Sequence, residues 1–244
     1  MTRMGRLWDI LRVATLGVWV LVFAWLLVGH HLPGKAPSGG PPYLLYIRAG
    51  LWPLLALGGV LLLAFTLATL PRLGRGGGST GNIWGTGART SLLLIPLVYA
   101  FGAPSGGLSG FAFDQRYVSD ATFSGMSART PAEDGKATLV DIVAHLDALV
   151  GRSVETEVRV MLGEDWPPGH FMAYRFVIVC CAADARPVGV LVKLPVGTKV
   201  EQDQWARVTG VVRTREGKSG VEPVIEAERI EPIDPLTRPY LYPS

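Results

Sequence analysis

Three stretches without a single charged residue, 13–29, 49–70 and 90–113, constrain this chain more than anything else in it. An apolar run of about 18 or more residues is long enough to cross a bilayer as an α-helix. Past residue 110 the character reverses, and every acid in the chain except Asp9 lies beyond that point. The chain therefore reads as a membrane domain over 1–109, with spans at about 10–29, 50–70 and 90–108. A linker over 110–136 and a soluble-looking domain over 137–244 follow. A mean hydropathy of +0.31 with only 18% charged residues fits a protein that is half membrane.

The pI near 9.0 invites a nucleic-acid reading, and the placement of charge argues against it. Residues 1–109 hold Arg3, Arg6, Arg12, Lys35, Arg48, Arg72, Arg75 and Arg89 against the single acid, while acids outnumber Lys and Arg from residue 110 on. A net-negative domain offers no electrostatic footprint to a phosphate backbone. The basic residues flank the apolar runs instead, and they set an orientation. Arg3, Arg6 and Arg12 lie around the start of the first run, and Arg72, Arg75 and Arg89 surround the connector before the third. Excess Lys and Arg in short loops marks the cytoplasmic side. This predicts an inside N-terminus and, after three crossings, an extracytoplasmic C-terminal domain. The third run decides the side and is the weakest, because Pro96 and Gly102 interrupt it.

A cleaved signal peptide is the alternative for the first run, but its apolar region is too long and no small-x-small site precedes His30 and His31. Trp8, Trp52, Trp84, Tyr43 and Tyr46 lie near span ends, as interfacial anchors do. The glycine-rich stretch 76–81 is read as a connector, since it lacks the Gly-Lys-Ser/Thr ending of a phosphate loop.

Within the C-terminal domain the hydrophobic period identifies the elements. Leu139, Ile142, Val143, Leu146, Leu149 and Val150 recur at helical spacing, with Thr138 as N-cap, Asp141 as its capping-box partner and Gly151 as the stop. The period then changes to two. Val154, Val158, Val160 and Leu162 mark a half-buried strand, and further strands are predicted over 174–181, 188–194, 205–213 and 224–230. Residues 174–181 are apolar on both faces, as a central strand would be. Five short strands in this span suit a small closed barrel of OB type, with the helix preceding it; a two-sheet sandwich would give the same string.

Chemistry concentrates in one place. The only cysteines, Cys180 and Cys181, are adjacent and are followed by Ala182, Ala183 and Asp184. At the end of a strand, one thiol should face the core and the other out. Three readings compete: small buried hydrophobes, which is the commonest fate of free cysteine; a soft-metal site, Zn(II) for example, completed by Asp184 or His170; or a vicinal disulfide, which an oxidising exterior permits. No Cys-x-x-Cys spacing, nucleophile elbow, His-Glu-x-x-His or Walker sequence accompanies them. Nothing here predicts an enzyme, and no cofactor is required outright. Trp205, on a strand, is expected in the core.

The run from Arg175 to Val190, with Cys180-Cys181-Ala182-Ala183-Asp184-Ala185 inside it, resembles the signature of the YcgQ-like permease-subunit family. Asp203-Gln204-Trp205 with Val208-Thr209-Gly210, then Ile225, Ala227 and Ile230, and the ending Pro239-Tyr240-Leu241-Tyr242 resemble the same family, as does Leu93-Leu94-Ile95-Pro96 with Pro104 and Leu108. The resemblance implies a bacterial plasma-membrane protein that accompanies a separate multi-span permease. It carries over no catalytic residue, only the motif positions Arg175, Cys180, Cys181, Asp184 and Trp205. With no ionisable residue deep in its spans, the chain has no solute path of its own, so transport needs a partner. The expectation is an accessory subunit whose β domain docks on or gates that permease in the lipid bilayer. The alternative, from another class, is a membrane-anchored metal- or thiol-handling protein using the cysteine pair. An OB-type oligonucleotide binder is disfavoured by the charge of the domain.

Overall fold

The computed structural model describes residues 3–29, 40–74, 95, 108–116, 135–217 and 220–242. The chain divides into two compact units. The first contains the long apolar helices; the second contains a β domain together with residues 44–48.

In the first unit, α1 (Arg3–Val28) and α2 (Trp52–Gly74) are each long and apolar enough to cross a membrane by length and composition. Their large side chains face outward: Leu21 is 70% exposed, and Leu54, Val60 and Leu61 are comparably uncovered. The threonine hydroxyls are satisfied within the helices. Thr15 Oγ1 donates to Leu11 O at 2.8 Å and Thr66 Oγ1 to Leu62 O at 2.7 Å, the back-bonding that lets a hydroxyl sit in an apolar environment. The two helices approach where Gly58 and Gly59 of α2 face the Phe23 ring of α1. Small residues at such a crossing allow close backbone approach. The third expected span, 90–108, lies outside the described residues except at Ile95 and Leu108.

The second unit is a closed five-stranded barrel. Its strands are β1 (Ser153–Met161), β2 (His170–Val177), β3 (Arg186–Lys193), β4 (Trp205–Gly217) and β5 (Gly220–Pro232). β1 pairs with both β4 and β2, β4 with β5, β5 in parallel with β3, and β3 with β2, so the ring closes. A closed ring leaves the five strands no continuous open edge. It also excludes the sandwich that the strand pattern alone allowed. The order is that of an OB-type barrel. A short β6 (Tyr240–Leu241) adds in parallel to β2.

The barrel interior is filled by alternate side chains, among them Val158, Val160, Phe171, Ala173, Val190, Val192, Val208 and Ile225. One end is closed by the predicted helix, which is broken at His145 into α4 (Leu139–Ala144) and α5 (Leu146–Leu149). Its capping box forms as expected. Thr138 Oγ1 accepts from Asp141 N at 3.2 Å, and Asp141 Oδ2 accepts from Thr138 N at 2.8 Å. Gly151 ends the segment with φ +80. Gly210 sits at a register shift of β4, where a Cβ would come 2.3 Å from Glu226 O; only glycine allows that approach.

β2 is buried on both faces, as its sequence predicts. The cover on its outer face was not predicted. Residues 110–116, expected as linker, form α3 (Gly110–Arg116), and Phe113 is 1% exposed, stacked 4.9 Å from the Tyr174 ring. Tyr174, Phe176, Ile178 and Tyr240 complete this second core. Aromatic side chains dominate such cores because each buries a large apolar area. The remainder of the expected linker, 117–134, lies outside the described residues.

Candidate functional site

The predicted strand over 174–181 ends four residues early, at Val177. The cause is one side chain. Asp184 Oδ1 accepts from Val179 N at 2.9 Å, and its Oδ2 accepts from Cys180 N at 2.7 Å and Cys181 N at 3.1 Å. Three consecutive amides aimed at a carboxylate cannot serve a strand ladder. The chain turns through a single 3-10 turn, Ala182–Asp184, and re-enters the sheet at Arg186. Val179 is consequently 61% exposed, Cys180 is exposed and Cys181 half-buried. This corrects one expectation: with Cys180 exposed, burial as small hydrophobes does not account for both thiols.

The loop is clamped from two directions. Residues 46–48 run alongside it, with an antiparallel bridge between Ile47 and Cys181, Ala182 N donating to Tyr46 O at 2.8 Å and Arg48 N to Cys180 O at 3.0 Å. On the other side Arg116, at the end of α3, donates through Nη1 to the carbonyls of Ala182 and Ala185, each at 3.3 Å. Tyr46, read from sequence as an interfacial anchor, thus lends its backbone to the β domain. Its neighbour Leu45 accepts a 2.7 Å hydrogen bond from Tyr240 Oη.

The two sulfurs stand 3.7 Å apart, and the ligating atoms of Cys180, Cys181 and Asp184 all lie within 4.8 Å of one another. Partial burial acts to raise the Asp184 pKa. The hydrogen bonds it accepts, from the Cys180 thiol and the three amides, outweigh this and hold it down at about 2. The same carboxylate, through its hydrogen bond with the thiol, pushes Cys180 up to about 11, with Cys181 adding to the effect. Cys180 is therefore a thiol at neutral pH, and a protonated sulfur is a poor nucleophile. His170 is not brought to this cluster. It opens β2 at the far end of the strand, with Nδ1 3.0 Å from Pro168 O.

The remaining motif residues form a separate cluster. Trp205 is buried, as expected, but on the outer face, between the guanidinium groups of Arg159 at 5.7 Å and Arg175 at 5.5 Å. Such cation–π contacts gain strength where water is excluded. Arg175 donates from Nη2 to Arg238 O at 2.9 Å and from Nε to Pro239 O at 3.2 Å, which fixes the segment leading into β6. Burial draws its pKa down to about 10, against the pull of Glu157 and Tyr242, so it stays charged. Asp203, in the left-handed region at φ 62, accepts on Oδ1 from Tyr174 Oη and from Gly110 N at 2.7 Å and pairs with Arg159 Nη2 at 3.3 Å. Burial, foremost, raises the Tyr174 pKa above its ordinary value. These groups spend their polar atoms on one another and on the backbone of the chain's own ends. They position α3 and β6. The sequence singled out Arg175 and Trp205 and named Asp203 only as part of the stretch leading into Trp205; it gave no signal that Arg159 and Tyr174 would join them.

Comparison with solved structures returns small matches to part of the chain. A chain of the S. pombe Stn1–Ten1 complex is 13% identical, covering 42% of this chain and 80% of that one, with a TM-score of 0.25. A DUF3299 family protein from Pseudomonas aeruginosa PAO1 is 18% identical over 36% of this chain and 64% of its own, at 0.26. An OBody bound to hen egg-white lysozyme is 17% identical over 36% and 85%, at 0.23. Likeness at this level carries nothing about activity. No curated protein matches the chain. The family model described as DUF1980 C-terminal domain matches residues 130–243, the barrel with its capping helix and cysteine loop.

Proposed function

We propose that this chain is a YcgQ-like accessory membrane subunit, anchored by its apolar helices and presenting the barrel outside the plasma membrane, where it docks on or gates a multi-span permease. The observation that carries this reading is the incorporation of residues 44–48 into the β domain through the Arg48–Cys180, Ala182–Tyr46 and Tyr240–Leu45 hydrogen bonds. Those residues lie in sequence between α1 and α2. In sequence they are followed at once by the 3-10 turn Ala49–Leu51 and then α2.

The same connection supports a third crossing, while the side the barrel then occupies rests on the loop charges. If α2 crosses the bilayer, residues 44–48 and the barrel can share one side only if the chain crosses again before Leu108. That requirement agrees with the third span expected from sequence and does not depend on the loop charges. No Asp, Glu, Lys or Arg occurs in 13–28 or 49–71, so an ion or polar solute would find no partner along these helices. A transport role falls to another protein.

The test is purification of the full-length chain from its native membranes in mild detergent. A multi-span membrane protein in about equal amount is expected, and its dissociation when residues 44–48 are replaced by a Gly/Ser sequence would tie the contact to the clamp. A chain that migrates alone after chemical cross-linking in intact membranes would contradict the reading.

A further inference from the structure

We infer that Cys180, Cys181 and Asp184 form an open binding site for a thiophilic divalent cation, Zn(II) foremost, with two sulfurs and one carboxylate oxygen as ligands and a fourth position left to solvent or to an incoming donor. The inference is independent of any permease partner. It begins from the way the loop's interactions bring three potential ligand groups together. Asp184 is accounted for by the three amides it gathers, and the Ala182 and Ala185 carbonyls by Arg116. The two thiols are not crosslinked: Cys180 is exposed and Cys181 half-buried, the Cys180 thiol is in hydrogen-bond contact with Cys181 Sγ and with the Asp184 carboxylate, and Cys181 Sγ accepts from Asp184 N, so the loop itself gathers the three donor groups.

Their spacing is that of a chelate. Two sulfurs each about 2.3 Å from a tetrahedral zinc lie about 3.8 Å apart, and here the thiol–thiol hydrogen bond sets them at 3.7 Å. A linear two-sulfur site would need them wider. The third donor is in reach, since all three ligating atoms fall within 4.8 Å. Asp184 Oδ1 takes one amide where Oδ2 takes two, so it keeps a lone pair for the cation while the carboxylate goes on holding the loop. Adjacent residues normally direct their side chains apart. The gathering of three successive amides onto one carboxylate bends this backbone so that both sulfurs emerge together. Binding replaces the two thiol protons, which leave to solvent, by one cation, with no redox change. Three protein ligands and one open position describe a site from which the ion can be exchanged, in contrast to the closed four-ligand structural sites.

The experiment uses the full-length chain in mild detergent, reduced and free of chelator, with both thiols first counted as free. Co(II) alone is titrated in. A thiolate-to-cobalt charge-transfer absorption and strong tetrahedral d–d bands saturating at one equivalent, and bleached by Zn(II), are expected. Cys180→Ser and Cys181→Ser should each reduce the charge-transfer band and weaken the apparent Kd by more than about tenfold, with circular dichroism unchanged. Asp184→Asn, which keeps an acceptor for the amides, should weaken binding while leaving both sulfur contributions in place. Two countable free thiols with no thiolate–cobalt band in the wild-type chain would overturn the site, as would a band that persists in both cysteine variants.

Discussion

Arg175 and Cys181 stand six residues apart in one motif, yet they belong to opposite kinds of surface. Around Arg175 every polar atom is turned inward: the guanidinium is buried, stacked on Trp205 and bonded to two carbonyls. Around Cys181 the backbone is also held, by Asp184, residues 46–48 and Arg116, but Cys180 is exposed and Cys181 only half-buried. The first arrangement holds the fold together, and the second uses a held backbone to bring two sulfurs side by side at the surface. The comparison teaches that membership of one sequence motif does not imply one role. It can be broken by asking which substitutions cost stability and which leave the fold intact.

The largest loss is expected from Phe113→Ala, because α3 closes the outer core around Tyr174 with a ring that is almost fully buried. Truncating a buried Phe costs about 3–5 kcal/mol. Denaturant unfolding should show it, and a fragment starting at 137 should be less stable than one starting at 108 by a similar margin. Arg175→Ala should follow, at about 3 kcal/mol, since it removes two charge-assisted hydrogen bonds and leaves the carbonyls of Arg238 and Pro239 without their donor. Amide exchange in 238–242 should rise with it.

Asp184→Ala is expected to cost less, about 1–3 kcal/mol, because the three amides it releases lie near solvent and water can replace part of the bonding. Its pH dependence has a definite sign. A carboxylate held below its ordinary range stabilises the fold fully at neutral pH, and that contribution disappears as pH falls from the ordinary carboxylate range through about 2. The wild-type chain should lose this increment on acidification, and the Ala variant should not. At the small end, Cys180→Ser should leave the denaturation midpoint nearly unchanged, because the side chain is exposed and the serine hydroxyl can still donate to Asp184. A loss comparable to that of Arg175→Ala would erase the contrast between the two surfaces.

Much of this was legible in the residues. The alternation of Val154, Val158 and Val160, the two-faced apolar run after Tyr174 and the Thr138–Asp141 box are local signals, and the barrel and its capping helix follow from them. The site was legible in identity and not in geometry. Val179, Cys180 and Cys181 favour extended structure, so the strand was drawn through them; what stops it is a carboxylate reaching back to their amides, an interaction no periodicity encodes. His170 was grouped with the cysteines because it lies on the same strand, but the strand runs away from the loop. The clamp by residues 46–48 was invisible because Tyr46 and Arg48 act there through backbone atoms, which carry no sequence signature.

The central claim is that the held loop presents its thiols on the outer side of the membrane. Because Cys180 and Cys181 are the only cysteines, the wild-type chain carries its own probe. Intact cells, treated with a chelator and a mild reductant, would be exposed to a membrane-impermeant maleimide, with a Cys180→Ser, Cys181→Ser double variant as the blank. The account predicts labelling of the wild-type chain before permeabilisation and no further gain after it. Labelling that appears only once the membrane is opened would place the barrel in the cytoplasm and contradict the account.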